Sequence, residues 1–249
     1  MTAPRNRLRT LFTLAYINGI IPIQTQPLYL VNVIASPFSF LFFISIASSG
    51  KLIVYGVAGG MLLTVMSIGT SLQTDMSHYR TDLKLQDLLV ASPVEAPVYV
   101  AGLALSELMY SLPAMGLFVV LLALYTSVSL GGALTIGLVL LLVWAFASAL
   151  GFTLATYFQD VRETFAISPL ISIGLTVLPP VYYPITYLPG WIQPFAYLSP
   201  TTYAADLLHS AVGLGNLSLT AAATDWGVLI AFTIGLLLLA SIKARWREP

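Results

Sequence analysis

Six stretches of this sequence are apolar over about the 20 residues that a helix needs to cross the hydrocarbon core of a bilayer. They cover residues 28–47, 52–72, 98–125, 133–157, 165–181 and 226–242. Only 8% of the 249 residues are charged and 58% are hydrophobic, whereas a soluble domain carries about 25% charged residues. The sequence therefore predicts an all-α, polytopic membrane protein with six transmembrane helices in one domain, residues 1–249.

The basic residues predict the orientation of these spans. Under the six-span interpretation all lysines and arginines fall on one side of the membrane except Lys51. Cytoplasmic loops carry an excess of such residues, so this side is expected to be the cytoplasm. Both termini and the loops after the second and fourth spans are then cytoplasmic in a multi-pass protein of the cell membrane. The basic start is expected to lead into a retained span rather than a cleaved signal peptide.

Net charge and cysteine content exclude several classes of function. The formal net charge is zero, so nothing global points to a nucleic-acid partner. The sequence contains no cysteine, which excludes disulfides, thiolate nucleophiles and cysteine metal sites.

Two shorter segments are amphipathic rather than uniformly apolar. Residues 5–18 place apolar side chains at helical spacing after a basic start, which predicts an interfacial helix on the cytoplasmic leaflet. A disordered basic start is the alternative. Residues 79–91 have one leucine-rich face, carry several charges and stop at Ser92-Pro93, where the proline disfavours helix in the preceding residue. This second helix is too short and too charged to span, so it is expected to lie in the cytoplasm.

The stretch 164–205 contains no charged residue but seven prolines and many aromatic residues. Pro179 and Pro180 are expected to end or kink the fifth helix. The segment after these prolines is too interrupted for a span and too apolar for a free loop, which predicts an outer re-entrant helical hairpin at 182–205. The alternative is an aromatic belt at the membrane interface, because Tyr and Trp favour that level.

Two motifs resemble the permease subunits of type-2 ABC exporters, which include drug-efflux, polysaccharide-export and teichoic-acid-export permeases. The first, LKLQDLLVASPVEAPVYVAG at 83–102, is similar to the cytoplasmic coupling helix of that family. The second, PVYYPITYLPGWIQPFAYLSPTTYAADLLH at 180–209, is similar to its Tyr-Pro, Leu-Pro-Gly-Trp and Ser-Pro-x-x-Tyr signature. Length, six spans and cytoplasmic termini also fit this resemblance.

The resemblance implies a transport subunit that forms the substrate pathway as a dimer, with a second and identical permease copy. Two copies of a separate ABC ATPase would dock on the coupling helices and bind ATP and Mg there, so this chain needs no cofactor of its own. No G-x-x-x-x-G-K-[ST] motif occurs in the sequence, so no ATP hydrolysis by that route is expected from it. The cargo would be lipid-linked, amphipathic or drug-like. The candidate ATPase-coupling residues are Asp82, Lys84, Leu85, Gln86, Leu88, Leu89 and Arg162, with a local ion pair as the alternative for Arg162.

Polar and aromatic residues give candidates for the pathway and its outer gate. Glu107 lies within the third span, where a charged side chain usually faces a bundle interior or a wet cavity. It either lines the pathway, reaches water at the cytoplasmic end, or pairs at the subunit interface. An aromatic group could hold sugar rings or apolar chains at the exit, or could anchor and pack the interface. Its members are Tyr182, Tyr183, Tyr187, Trp191 and Phe195.

Other functions need features that the sequence hardly offers. Asp206 and His209 share a helical face, but two ligands do not make a metal site, and Asp206 is expected to anchor the hairpin instead. An intramembrane lipid-modifying enzyme needs convergent titratable groups. An ion-coupled carrier or channel remains the main alternative, although no internal repeat is visible.

Overall fold

The computed structural model describes residues 4–25, 28–81, 96–158 and 160–243, and in these ranges the chain forms helices and turns without a strand. Helix α1 (Pro4–Ala15) continues through a π-helical turn (Tyr16–Ile20) into α2 (Ile21–Thr25). The long helices are α3 (Leu28–Ala47), α4 (Ile53–Thr81), α5 (Ala96–Tyr125), α6 (Leu130–Ala155), α7 (Val161–Thr176) and α10 (Leu219–Lys243). Between α7 and α10 lie a 3₁₀ turn (Ile185–Tyr187), α8 (Gln193–Ala196) and α9 (Pro200–Ala211).

Four helices in the described part of the chain, α4, α5, α6 and α10, are long and apolar enough to cross a membrane. Together with the all-helical fold, they define a polytopic membrane protein. The other two predicted spans correspond to α3, with 20 residues, and α7, with 16. At about 1.5 Å per residue, α7 is about 24 Å long, which is shorter than the hydrocarbon core of about 30 Å. Six crossings therefore remain a prediction.

Several helix boundaries differ from the sequence-based ones because polar residues cap the helices. The fourth predicted span starts earlier, at Leu130, since the Ser129 hydroxyl accepts a hydrogen bond from the Gly132 N–H at 3.0 Å. The last span starts at Leu219 rather than 226, after Ser218, whose hydroxyl accepts from Ala221 N–H. The fifth helix ends at Thr176 rather than 181, just before the two prolines that cannot continue it.

Helix α4 extends well past the end predicted for the second span. It continues to Thr81, and its 29 residues are about 43 Å long. Residues 79–81 of the predicted coupling helix belong to α4, and the remainder of that prediction, 82–91, lies outside the described residues. The predicted interfacial helix at 5–18 corresponds to α1 and the first part of the π-helical turn, which pack against α5.

Helix α4 is the centre of the bundle. It packs against α3, α5, α6, α7 and α9, and 78% of its apolar window is buried, against 22–39% for the other three candidate spans. Small residues let its neighbours approach closely. A β-carbon added at Gly60 would lie 2.4 Å from the Phe118 ring of α5, and one added at Gly69 would lie 2.4 Å from Cβ of Ala147 in α6.

The two ends of the bundle carry different segments. At one end, which we call the Lys51 end, the α3–α4 turn meets the segment that joins α9 to α10, since Tyr55 Oη donates to the Leu214 carbonyl at 3.4 Å. Thr126, after α5, donates to the Val212 carbonyl at 3.1 Å and so lies at the same end. The opposite end, which we call the Arg162 end, holds the end of α4 and the start of α7.

The close approach of α6 to α4 predicts that two glycines of α6 differ sharply in how much stability is lost when each is replaced by alanine. A β-carbon at Gly151 would lie 2.7 Å from the backbone oxygen of Gly69, whereas one at Gly137 would meet nothing within 4 Å. A backbone oxygen cannot move aside as a side chain can, so Gly151→Ala should push the helices apart and cost about 1–3 kcal/mol.

The measurement is the melting temperature of each purified variant in detergent, followed by circular dichroism. Gly151→Ala should melt clearly below the wild type, while the control Gly137→Ala should melt at or slightly above it. Equal melting temperatures for the two variants would contradict the tight α4–α6 contact.

Candidate functional site

A stripe of hydroxyl side chains runs along the face of α7 that packs on α4. It consists of Thr164, Ser168, Ser172 and Thr176, spaced by four residues and all buried. Ser168 Oγ donates to the Thr70 carbonyl at 3.0 Å, and the Ser172 and Thr70 hydroxyls are hydrogen-bonded to each other. This hydroxyl stripe joins α7 to the central helix by polar contacts that cross between the two helices. The sequence-based prediction missed it, although a hydroxyl residue at every fourth position was the signal.

Two further buried polar side chains lie where α4 crosses α6. Gln73 is fully buried, and neither atom of its carboxamide has a hydrogen-bond partner among the described residues. The Ser148 hydroxyl is also buried without a partner in that part of the chain. Unpaired polar groups are costly in a low-dielectric interior, and at membrane depth such residues mark functional sites. The α4–α6–α7 contact is therefore a polar core inside an apolar bundle.

Glu107 is partly buried between α5 and α4. Ser71 Oγ donates to its Oε2 at 2.8 Å, and the Asp75 carboxyl, one turn further along α4, is hydrogen-bonded to it as well. Two acidic side chains, one from each helix, therefore meet where α4 packs on α5. Asp75 was missed from the sequence because the second span was predicted to end at 72.

The prolines after α7 leave one helix carbonyl without its usual backbone N–H donor, and side chains donate hydrogen bonds to it instead. Pro179 has no N–H to offer the carbonyl of Leu175, four residues earlier. The Thr201 hydroxyl donates to this carbonyl, and Ser199 Oγ lies 3.5 Å from it. Tyr203 Oη donates to the Tyr197 carbonyl at 2.9 Å. The Ser-Pro-x-x-Tyr motif thus fastens the start of α9 to the end of α7.

The five aromatic candidates do not share one environment. Tyr182 is only 2% exposed, and its ring packs on Gly59 of α4 and on Phe40, so it belongs to the core of the bundle. Tyr183 is partly buried and donates to the Leu178 carbonyl at 3.2 Å. The other three remain on the surface of the Lys51 end, Tyr187 at 65% exposure, Trp191 at 73% and Phe195 at 65%.

His209, within α9, is hydrogen-bonded to the segment that follows the prolines. Its Nε2 lies 3.1 Å from the Val181 carbonyl, to which it donates, and its ring meets the Tyr55 ring edge-on with centroids 4.6 Å apart. Burial lowers the pKa of His209 to about 4 from its ordinary value of 6.5, against the opposing effect of the Val181 hydrogen bond. Burial, with the charge of Asp225 nearby, raises the pKa of Asp206 to about 6. No group of three potential metal ligands occurs among the described residues.

Of the ATPase-coupling candidates, only Arg162 lies in the described part of the chain. Asp160 caps α7, and its Oδ1 accepts a hydrogen bond from the backbone N–H of Arg162 at 2.8 Å. The Arg162 side chain is exposed and forms no ion pair with any residue that the structure describes. The other candidates, which lie between α4 and α5, are outside the described residues: Asp82, Lys84, Leu85, Gln86, Leu88 and Leu89.

Helices long enough to span a bilayer, packed around a polar core, define a multi-pass membrane protein. The sequence matches the family model of the ABC-2 type transporter over residues 11–213, from within α1 to just after α9. The chain belongs to this family, whose members are membrane permease subunits of ABC transporters and are not themselves ATPases. A search of curated proteins found no match.

His209 predicts a specific pH dependence of stability. Between about pH 6.5 and pH 4 the unfolded chain binds a proton at this histidine that the folded chain excludes, so its contribution to stability is lost as the pH falls. Asp206 acts in the opposite sense, because its raised pKa lets the folded chain bind the extra proton as the pH falls through about 6. His209→Gln can still donate to Val181 but cannot titrate.

Melting temperatures at about pH 7 and pH 5 measure this effect. The wild type should lose more stability on acidification than His209→Gln does. The control His78→Gln removes the chain's other histidine, at the opposite end of α4, and should retain the wild-type loss. An identical pH dependence in wild type and His209→Gln would show that this histidine does not carry the effect.

Proposed function

We propose that this chain is the membrane subunit of an ATP-driven exporter of the cell membrane, working as a dimer with two copies of a separate ABC ATPase. The observation that carries the proposal is the match to the ABC-2 type transporter family over residues 11–213. Members of this family typically work with an ABC ATPase partner. Both termini and the Arg162 end are then cytoplasmic, and the Lys51 end faces outward.

The arrangement of helices supports a route for coupling. The segment 82–95, which carries most of the coupling candidates, is bounded by the two long helices α4 and α5. The hydrogen bond from Ser71 to Glu107, and the contact between the Glu107 and Asp75 carboxyls, tie these helices together. A displacement of the segment by the ATPases would therefore move α4 and α5 as a pair.

From α4 the movement reaches the hairpin through α7. The hydroxyl stripe binds α7 to α4, and the hydroxyls after α8 bind the end of α7 to α9. Val181 and Tyr182, just beyond the prolines, are buried against the bundle. A shift of α4 would thus change the position of the segment that bears Tyr187, Trp191 and Phe195 at the proposed exit.

A second candidate function is suggested by the Asp75–Glu107 pair. Two neighbouring carboxyl groups between the helices of a membrane protein resemble the buried ionisable pairs of ion-coupled carriers. If the protein were such a carrier, transport would depend on this pair and on a proton gradient, and no ATPase would bind. Co-purification of an ATPase with the wild-type chain therefore separates the two functions.

Docking of the ATPase is expected to depend on the segment after α4. Charge reversal at Asp82 and Lys84 combined with Leu85→Asp should abolish co-purification of the ATPase encoded beside this chain, because it replaces an apolar contact and inverts two charges. Lys51→Asp, at the other end of the bundle, is the control and should leave co-purification unchanged. Full retention of the ATPase by the triple variant would refute the docking assignment, and failure of the wild type to bind any ATPase would favour the carrier.

The proposed orientation can be tested because the chain contains no cysteine. Single cysteines at Ser49, in the α3–α4 turn, and at Tyr157, after α6, lie at opposite ends of the bundle, and both positions are exposed. A membrane-impermeant maleimide added to intact cells should label Ser49→Cys but not Tyr157→Cys. After the cells are opened, both should react. Labelling of Tyr157→Cys in intact cells would show that the proposed orientation is reversed.

A further inference from the structure

A cleft of about 530 Å³ lies at the Lys51 end, between the α3–α4 turn and the segment that begins the hairpin. One wall comes from the end of α3 and the start of α4, through Ile44, Ala47 and Leu52. The other wall includes Leu188, together with the rings of Tyr183 and Tyr187. The cleft is thus mainly apolar, with one ammonium group, from Lys51, at its edge.

The position of Lys51 is set by a tight turn. Ser49 and Gly50 have positive φ angles of 51° and 81°, a left-handed conformation that glycine adopts without strain. Gly50 N–H donates to the Ser45 carbonyl at 2.8 Å, which closes the end of α3, and Ser48 Oγ accepts from Leu52 N–H at 3.1 Å. Hydrogen bonds within the turn therefore hold the backbone of Lys51 beside the cleft.

The opposite wall is also fixed. Tyr183 Oη donates to the Leu178 carbonyl at 3.2 Å, and Tyr187 lies in the 3₁₀ turn closed by its own N–H to the Pro184 carbonyl at 3.0 Å. Leu188 is held from behind, because Gln193 Nε2 donates to its carbonyl at 3.0 Å. The two walls are thus formed by hydrogen-bonded turns rather than by extended loops, and the shape of the cleft is built into the fold.

The charge at the cleft is not balanced by an acidic side chain in the described part of the chain. Lys51 is exposed and forms no ion pair with any residue that the structure describes. On the sequence it is the one basic residue that falls on this side of the six-span topology. A single cation retained beside an apolar cleft at a membrane surface favours a ligand that combines an anionic group with an apolar body.

The cleft is continuous with an exposed apolar surface of α3, and this continuity indicates the class of ligand that would bind. Phe43 and Ile46, on the same part of α3 as the cleft-lining Ile44 and Ala47, are 67% and 64% exposed. An acyl chain whose head group lies at Lys51 could follow this apolar surface, which a free anion would not use. We propose that the cleft binds an anionic phospholipid, with its phosphate at Lys51 and an acyl chain along α3.

Native mass spectrometry of the full permease chain tests the proposal. With equal amounts of phosphatidylglycerol and phosphatidylcholine added, the wild type should retain phosphatidylglycerol about five-fold better, the effect of one basic side chain near an anionic group. Lys51→Gln should bring the ratio close to one. Arg162→Gln, which removes an exposed charge at the other end of the bundle, should keep the wild-type ratio.

A second variant tests the cleft independently of charge. Ala47→Trp, at an exposed position of the wall, should fill the cleft and reduce retention of phosphatidylglycerol while leaving the melting temperature unchanged. A preference for phosphatidylglycerol that persists in Lys51→Gln or in Ala47→Trp would overturn the proposal. Displacement of the lipid by excess inorganic phosphate would also overturn it, since the site would then accept a free anion. None of these results depends on coupling to an ATPase.

Discussion

The contact between α4 and α6 at Gly69 and Gly151 is the interaction on which the rest of the bundle depends. In a bilayer no hydrophobic force draws two apolar helices together, because lipid chains are as apolar as leucine. Close packing and hydrogen bonds must supply the attraction instead. The glycines bring the two backbones near enough for close packing, and α3, α5, α7 and α9 then pack around the same central helix. The high burial of α4 results from this arrangement.

A second constraint is that backbone groups in a membrane must be paired within the protein. An unbroken helix is the simplest way to pair these groups, but the helix cannot continue through Pro179 and Pro180. The carbonyl left without a backbone donor is instead paired with nearby side chains. Hydroxyls of Ser199 and Thr201 reach the carbonyl of Leu175, which Pro179 cannot serve. A motif that resembles a family signature therefore has a physical role in this chain. It lets α7 end without an unpaired carbonyl and fixes the start of α9 against that end.

The sequence predicted where the helices lie better than it predicted which side chains contact one another. Length and apolar composition located α3 with the correct ends, and the two prolines placed the break after α7. Boundaries set by single hydroxyls, such as Ser129 and Ser218, were missed because a cap depends on geometry rather than on hydropathy. Burial was equally hidden, since Tyr182 and Tyr187 look alike in the sequence, yet one packs on Gly59 and the other remains on the surface. The pairing of Glu107 with Asp75 needed the register of α5 on α4.

The distribution of polar groups also separates what is rigid from what can move. The α4–α6 contact rests on backbone approach, where a small displacement produces a steric clash at Gly151. The α4–α7 contact rests on hydroxyls, whose donors can rotate to a new acceptor one turn along at little cost. The hydroxyl stripe therefore holds α7 to α4 without the close backbone approach that fixes α6. Because α7 starts beside Arg162 at one end of the bundle and ends before the segment of Val181 and Tyr182 at the other, it is the helix that would carry a force from the ATPases to the opposite surface under the proposed function.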